Sequence, residues 1–137
     1  MAKFETVYPG NLRTEITHLQ SGNTLITDAP ADNHGKGDYF SPTDLLAAAL
    51  GSCILTIMGI AARTHGFSID GTSMETTKIM GSNPRRVEEL IIKITFPHNR
   101  YSQKELKILE TSARECPVAN SLHPDLKRTV SFIFKED

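Results

Sequence analysis

Cys53 and Cys116 are the only two cysteines of the 137-residue chain, and they stand 63 positions apart. Cys53 lies inside the uncharged run Leu45 to Ala62, and Cys116 lies in Glu115-Cys116-Pro117. Thiols in such settings have three uses: inert apolar filling, a structural bridge, or the attacking and resolving members of a redox pair. Metal binding is disfavoured, because His18, His34, His65, His98 and His123 are scattered without ligand spacing to either cysteine. A Cys-His hydrolase built on Cys116 and His123 is the rival enzyme class. It lacks a visible oxyanion motif, and its nucleophile would sit beside a proline at a helix break.

The element that carries Cys53 is well delimited. Ser41 suits an N-cap, Pro42 the first helical position, and Asp44 the positive end of the dipole. Arg63 and His65 suit the last turn and Gly66 the C-cap. A helix of about 23 residues spans roughly 35 Å and forms the spine of the fold. Cys53 is about three turns from its start, whereas dipole stabilisation of an anion is confined to the first turn. The apolar neighbours Leu46, Leu50, Ile54, Ile57 and Ile60 push a thiol pKa up, not down. A reactive Cys53 therefore needs a cation brought by another element. Arg63, ten residues further along the same helix, lies nearly 15 Å away.

The run Leu45 to Ala62 holds 18 residues without a charge, the length of a membrane span. Its wealth of Ala, Gly, Ser and Thr, and its flanks of alternating strand, assign it instead to the core of a globular domain. Ala47, Ala48, Gly51 and Ser52 would admit close approach of another helix or a second subunit.

Strand patterns fill most of the remainder. Phe4 to Tyr8 and Leu12 to Leu19 flank the turn Pro9-Gly10-Asn11, and Asn23 to Thr27 continues the meander. A polar, glycine-containing loop follows over Ala29 to Tyr39, where Tyr39 and Phe40 offer apolar walls. Beyond the long helix, Phe67 to Met80 and Val87 to Phe96 form a second hairpin. Ser102 with Glu105 forms a capping box for a helix with Leu106, Leu109 and Ala113 inward. Cys116-Pro117 breaks that helix, a short helix restarts to Leu122, and Lys127 to Phe134 is the last strand. The expectation is a single α+β domain over residues 1–137.

Fifteen basic and 16 acidic residues leave a net charge of -1, which gives no electrostatic footprint for nucleic acid. No apolar signal segment follows Met1-Ala2-Lys3-Phe4-Glu5, so the expected location is the cytoplasm, with no membrane partner. In a reducing compartment a disulfide between the two cysteines would be transient or catalytic.

Three stretches carry a family resemblance: Ser41-Pro42-Thr43-Asp44-Leu45-Leu46, Ala48-Ala49-Leu50-Gly51-Ser52-Cys53, and Glu115-Cys116-Pro117-Val118-Ala119-Asn120-Ser121-Leu122. In this order, among these elements, the chain resembles the OsmC/Ohr family over nearly its whole length. The resemblance implies an OsmC-like fold in an intertwined homodimer with active sites at the subunit interface. It implies thiol-dependent reduction of organic hydroperoxides, with Cys53 peroxidatic and Cys116 resolving. No bound cofactor is implied. An external dithiol, a lipoylated protein or a small thiol, would regenerate the pair. The family's cation matches Arg13, whose permanently charged planar fork suits both a thiolate and a peroxide oxygen. In the hydroperoxide-reductase branch a glutamate follows the helix-start proline and holds the arginine. Here Thr43 takes that place with Asp44 next, so Asp44 is either an orienting partner for Arg13 or a helix cap. The alternative within the same fold is a small-ligand binding module with Cys53 packed in an apolar cavity.

Overall fold

Ser41 and Asp44 close a reciprocal capping box: the Asp44 N–H donates to Ser41 Oγ at 3.1 Å, and the Ser41 N–H donates to Asp44 Oδ2 at 2.9 Å. From this cap the longest helix, α1, runs over Pro42–Thr64. Its far end folds back as the sequence requires, with Gly66 at φ 79° and the Phe67 N–H donating to the Ala62 carbonyl. In the computed structural model, which describes residues 2–136, the chain forms two compact units, Met1–Leu46 and Ala47–Asp137.

The first unit is an antiparallel meander of β1 (Phe4–Gly10), β2 (Arg13–His18) and β3 (Thr24–Asp28). Gly10, Asn11 and Leu12 all take positive φ in the β1–β2 turn, as the Pro-Gly-Asn signal requires. After β3 the polar loop contains a single 3-10 turn over Ala31–Asn33. It closes on itself: the Gly37 N–H donates to the Ala29 carbonyl and the Asp28 N–H to the Phe40 carbonyl. Gly35 is required there, since a Cβ would overlap the Ala29 carbonyl.

The second unit holds β4 (Ser73–Gly81), β5 (Arg86–Phe96), α2 (Gln103–Arg114), α3 (Pro117–Ser121) and β6 (Lys127–Phe134). β5 is central, antiparallel to β4 and parallel to β6. The parallel pairing needs a crossover, which α2 and α3 supply. Alternation along β5 buries Leu90, Ile92, Ile94 and Phe96 on one face. These join Leu50, Ile54 and Met58 of α1 and Leu109 of α2 in one core cluster, each side chain contributing about 1.5–3 kcal/mol of apolar burial. A ring cluster of Phe96, Tyr101, Phe132 and Phe134 closes one end of that core.

Three expectations change. β4 begins at Ser73, not Phe67, because residues 67–72 turn: Gly71 has φ 89°, the Asp70 N–H donates to Ser68 Oγ, and the Tyr101 hydroxyl donates to the Ser68 carbonyl. The close approach that Gly51 permits goes to Met74 and Thr76 of β4 within the chain, while Ala48 and Ser52 are exposed. The apolar surround expected for α1 is one-sided. Ala47, Leu50, Gly51, Ile54, Met58 and Ala62 are buried, but Leu46 and Ile60 are 37% and 58% exposed. By length and composition α1 is apolar enough to cross a membrane, at a mean hydropathy of 2.2, a test that the core helix of a globular protein also passes.

Candidate active site

Cys53 and Cys116, 63 residues apart in sequence, are brought together within the second unit, near enough for Cys53 to act on the Cys116 thiol. Both are unbonded thiols, Cys53 half-buried and Cys116 fully buried. α1 delivers Cys53. Cys116 owes its place to the break between α2 and α3. α2 ends at Arg114, Pro117 starts the next helix, and Cys116 becomes the N-cap with its Sγ accepting the Ala119 N–H at 3.3 Å. Proline at that position starts α3 and so makes Cys116 its N-cap.

Burial pushes the Cys116 thiol pKa up, the Ala119 N–H works against it, and the neighbouring Cys53 adds to the rise. The pair thus keeps a proton on Cys116. A thiol pKa raised in the folded state favours folding fully below the unfolded value and loses that contribution as pH rises through the folded value. Reduced protein should accordingly lose denaturant resistance more steeply than Cys116→Ala as pH rises above about 8.5, the ordinary thiol pKa. Parallel profiles for the two proteins would contradict the assigned cause.

Arg13 lies in the first unit, at the start of β2, directly paired with Asp28 across the β2–β3 ladder. Its Nη2 donates to Asp38 Oδ2 at 2.8 Å and lies 3.5 Å from Asp28 Oδ2. The guanidinium carbon sits 5.1 Å from the centre of the Tyr39 ring. Asp28 is buried, and its Oδ2 also accepts the Asp38 N–H at 3.0 Å.

Asp44 makes the contacts of a helix cap. Its carboxylate caps α1, while the carboxylates on Arg13 are those of Asp38 and Asp28. Thr43, in the place of the family glutamate, turns its hydroxyl to that of Ser41 at 3.2 Å. Asp28 and Asp38 were not singled out from sequence. The only signal was their position as acids at the two ends of the polar loop. Arg63, the rival cation, is exposed in the last turn of α1.

A cavity of about 730 Å³ lies within the second unit, walled by Leu50, Ile54, Leu106, Ala113, Phe132 and Phe134, with Arg114 and Arg128 also lining it. Its walls include Ile54, next to Cys53 in sequence, and Ala119, whose N–H donates to Cys116 Sγ.

The sequence matches the family model described as OsmC-like protein over residues 35–131. A solved structure from Psychrobacter arcticus carries the provisional name of an osmotic stress induced and detoxification response protein. It shares 51% identity over 98% of this chain and 96% of its own, with a TM-score of 0.90. Two structures at low identity share the fold. An organic hydroperoxide resistance protein OsmC from Legionella pneumophila is 20% identical over 97% of this chain and 99% of its own, at a TM-score of 0.69. An organic hydroperoxide resistance protein from Elizabethkingia anophelis is 16% identical over 98% of both chains, at a TM-score of 0.72. No curated protein matches the sequence.

Proposed function

Because the chain belongs to the OsmC-like protein family, we propose that it is a cysteine-based thiol peroxidase that reduces organic hydroperoxides in the cytoplasm. The observation that carries this reading is the juxtaposition of Cys53 with Cys116, two thiols that helix geometry alone gives no reason to bring together. The Cys53 thiolate attacks the outer oxygen of the hydroperoxide. The O–O bond breaks, the alcohol leaves with a proton, and Cys53 becomes a sulfenic acid. Cys116 then displaces the sulfenic oxygen, which departs as water with the Cys116 proton, and the Cys53–Cys116 disulfide forms. An external dithiol, a lipoylated protein or a small thiol, returns both cysteines to thiols and is itself oxidised to a disulfide.

Arg13 is the cation assigned to the thiolate and the peroxide oxygen. The working unit is a homodimer with its active sites at the interface. A single chain leaves Phe4, Tyr8, Leu25, Phe40 and Ile60 at least half exposed, apolar side chains that a partner subunit would cover.

A second reading, a small-ligand binding module, is favoured by the 730 Å³ cavity. One experiment separates the two. Reduced protein given one equivalent of cumene hydroperoxide should become two hydrogens lighter and yield a Cys53–Cys116 linked peptide by mass spectrometry. Unconsumed peroxide with both thiols free would leave only the binding module.

A further inference from the structure

We propose that Asp28 is the positioning residue of the Arg13 guanidinium, an inference that rests on the peroxidase reading. Asp28 is 1% exposed, and its Oδ1 has no hydrogen-bond partner among the described residues. A buried carboxylate with an unsatisfied oxygen is costly to retain, so its charge requires a use. Anchoring the loop does not supply that use. The contact that Asp28 makes there, accepting the Asp38 N–H, would be made equally well by the carbonyl oxygen of an asparagine. What asparagine lacks is charge, and the cation within reach of that charge is Arg13, 3.5 Å away and its direct partner across the ladder.

The arrangement also leaves the guanidinium usable. Both carboxylates meet the same nitrogen, Nη2, so Nη1 and Nε carry no ion pair among the described residues. Asp28 is rigid, set in a strand and held by backbone bonds at the loop closure; Asp38 is 56% exposed on the loop. The Tyr39 ring packs on the guanidinium. Two acids and a ring therefore fix the plane of the fork while most of its donors remain for an oxyanion or a thiolate. Asp28, the immobile member, sets the direction, and Asp38 reinforces it.

The test exploits the two half-reactions of a ping-pong peroxidase. Asp28→Asn should lower kcat/KM for cumene hydroperoxide by roughly tenfold to a hundredfold, the size of effect that misplacing a reacting group produces. It should leave kcat/KM for the dithiol reductant within about twofold, since that step reads only the disulfide. Asp38→Asn should have the smaller effect on the peroxide step. In the Arg13→Gln background, Asp28→Asn should cost nothing further, because Asp28 acts only through Arg13. That double variant removes the buried acid and its part-exposed cation together, which guards against an unfolded single variant. A wild-type peroxide step in Asp28→Asn, equal loss in both half-reactions, or additive losses with Arg13→Gln would overturn the positioning role and leave the peroxidase reading standing. An inactive wild-type protein would overturn both.

Discussion

Cys53→Ser is expected to reduce hydroperoxide turnover by about a thousandfold or more, the scale on which removal of a nucleophile acts. A serine hydroxyl is not ionised at neutral pH and does not displace an alkoxide from a peroxide oxygen. The remaining thiol does not substitute for it. Cys116 is fully buried, caps α3, and has its pKa pushed up by that burial. The fold should survive, because Cys53 is only half-buried and the core face of α1 is made by Leu50, Ile54 and Met58. Peroxide consumption followed with a dithiol present, alongside far-UV circular dichroism, checks both halves. A folded Cys53→Ser protein that keeps a tenth or more of wild-type turnover would remove Cys53 from the attacking role.

Legibility in the sequence followed how local each cause is. The bounds of α1 depend on residues within one turn of its ends, Ser41 with Asp44 and Arg63 with Gly66, and both ends are where those residues place them. The same holds for α2, whose Ser102–Glu105 capping box is present in full. The segment 67–72 misled because Phe67, Ser68, Ile69 and Asp70 alternate as a strand does, while hydroxyl bonds and Gly71 commit it to a turn. The parallel pairing of β5 with β6 had no local cause to read, since a crossover is defined only after both helices are packed. The site divides in the same way. Each cysteine announced itself by its surroundings, but their contact and the pairing of Arg13 with Asp28 and Asp38 depend on tertiary packing, strand register and loop closure. A glutamate-to-threonine departure at the helix start gave no hint that acids from another element would meet the arginine.

Cys116→Ser separates attack from resolution. Serine is a favoured N-cap, and its Oγ can accept the Ala119 N–H that Cys116 Sγ accepts now, so α3 and the break at Pro117 should persist. The first equivalent of hydroperoxide should then be consumed at nearly the wild-type rate, because the attacking sulfur is untouched. Turnover with a dithiol should fall on the order of a hundredfold, since an intramolecular partner is replaced by a bimolecular encounter. The stalled protein should be one oxygen heavier and form a dimedone adduct at Cys53; excess peroxide should drive it on to the sulfinic acid. If Cys116→Ser turns over like the wild type, the buried thiol is structural filling and reductant attacks the sulfenic acid directly. If the first equivalent is also lost while the protein stays folded, Cys116 acts earlier than resolution, through its influence on the neighbouring Cys53 thiol before any peroxide arrives.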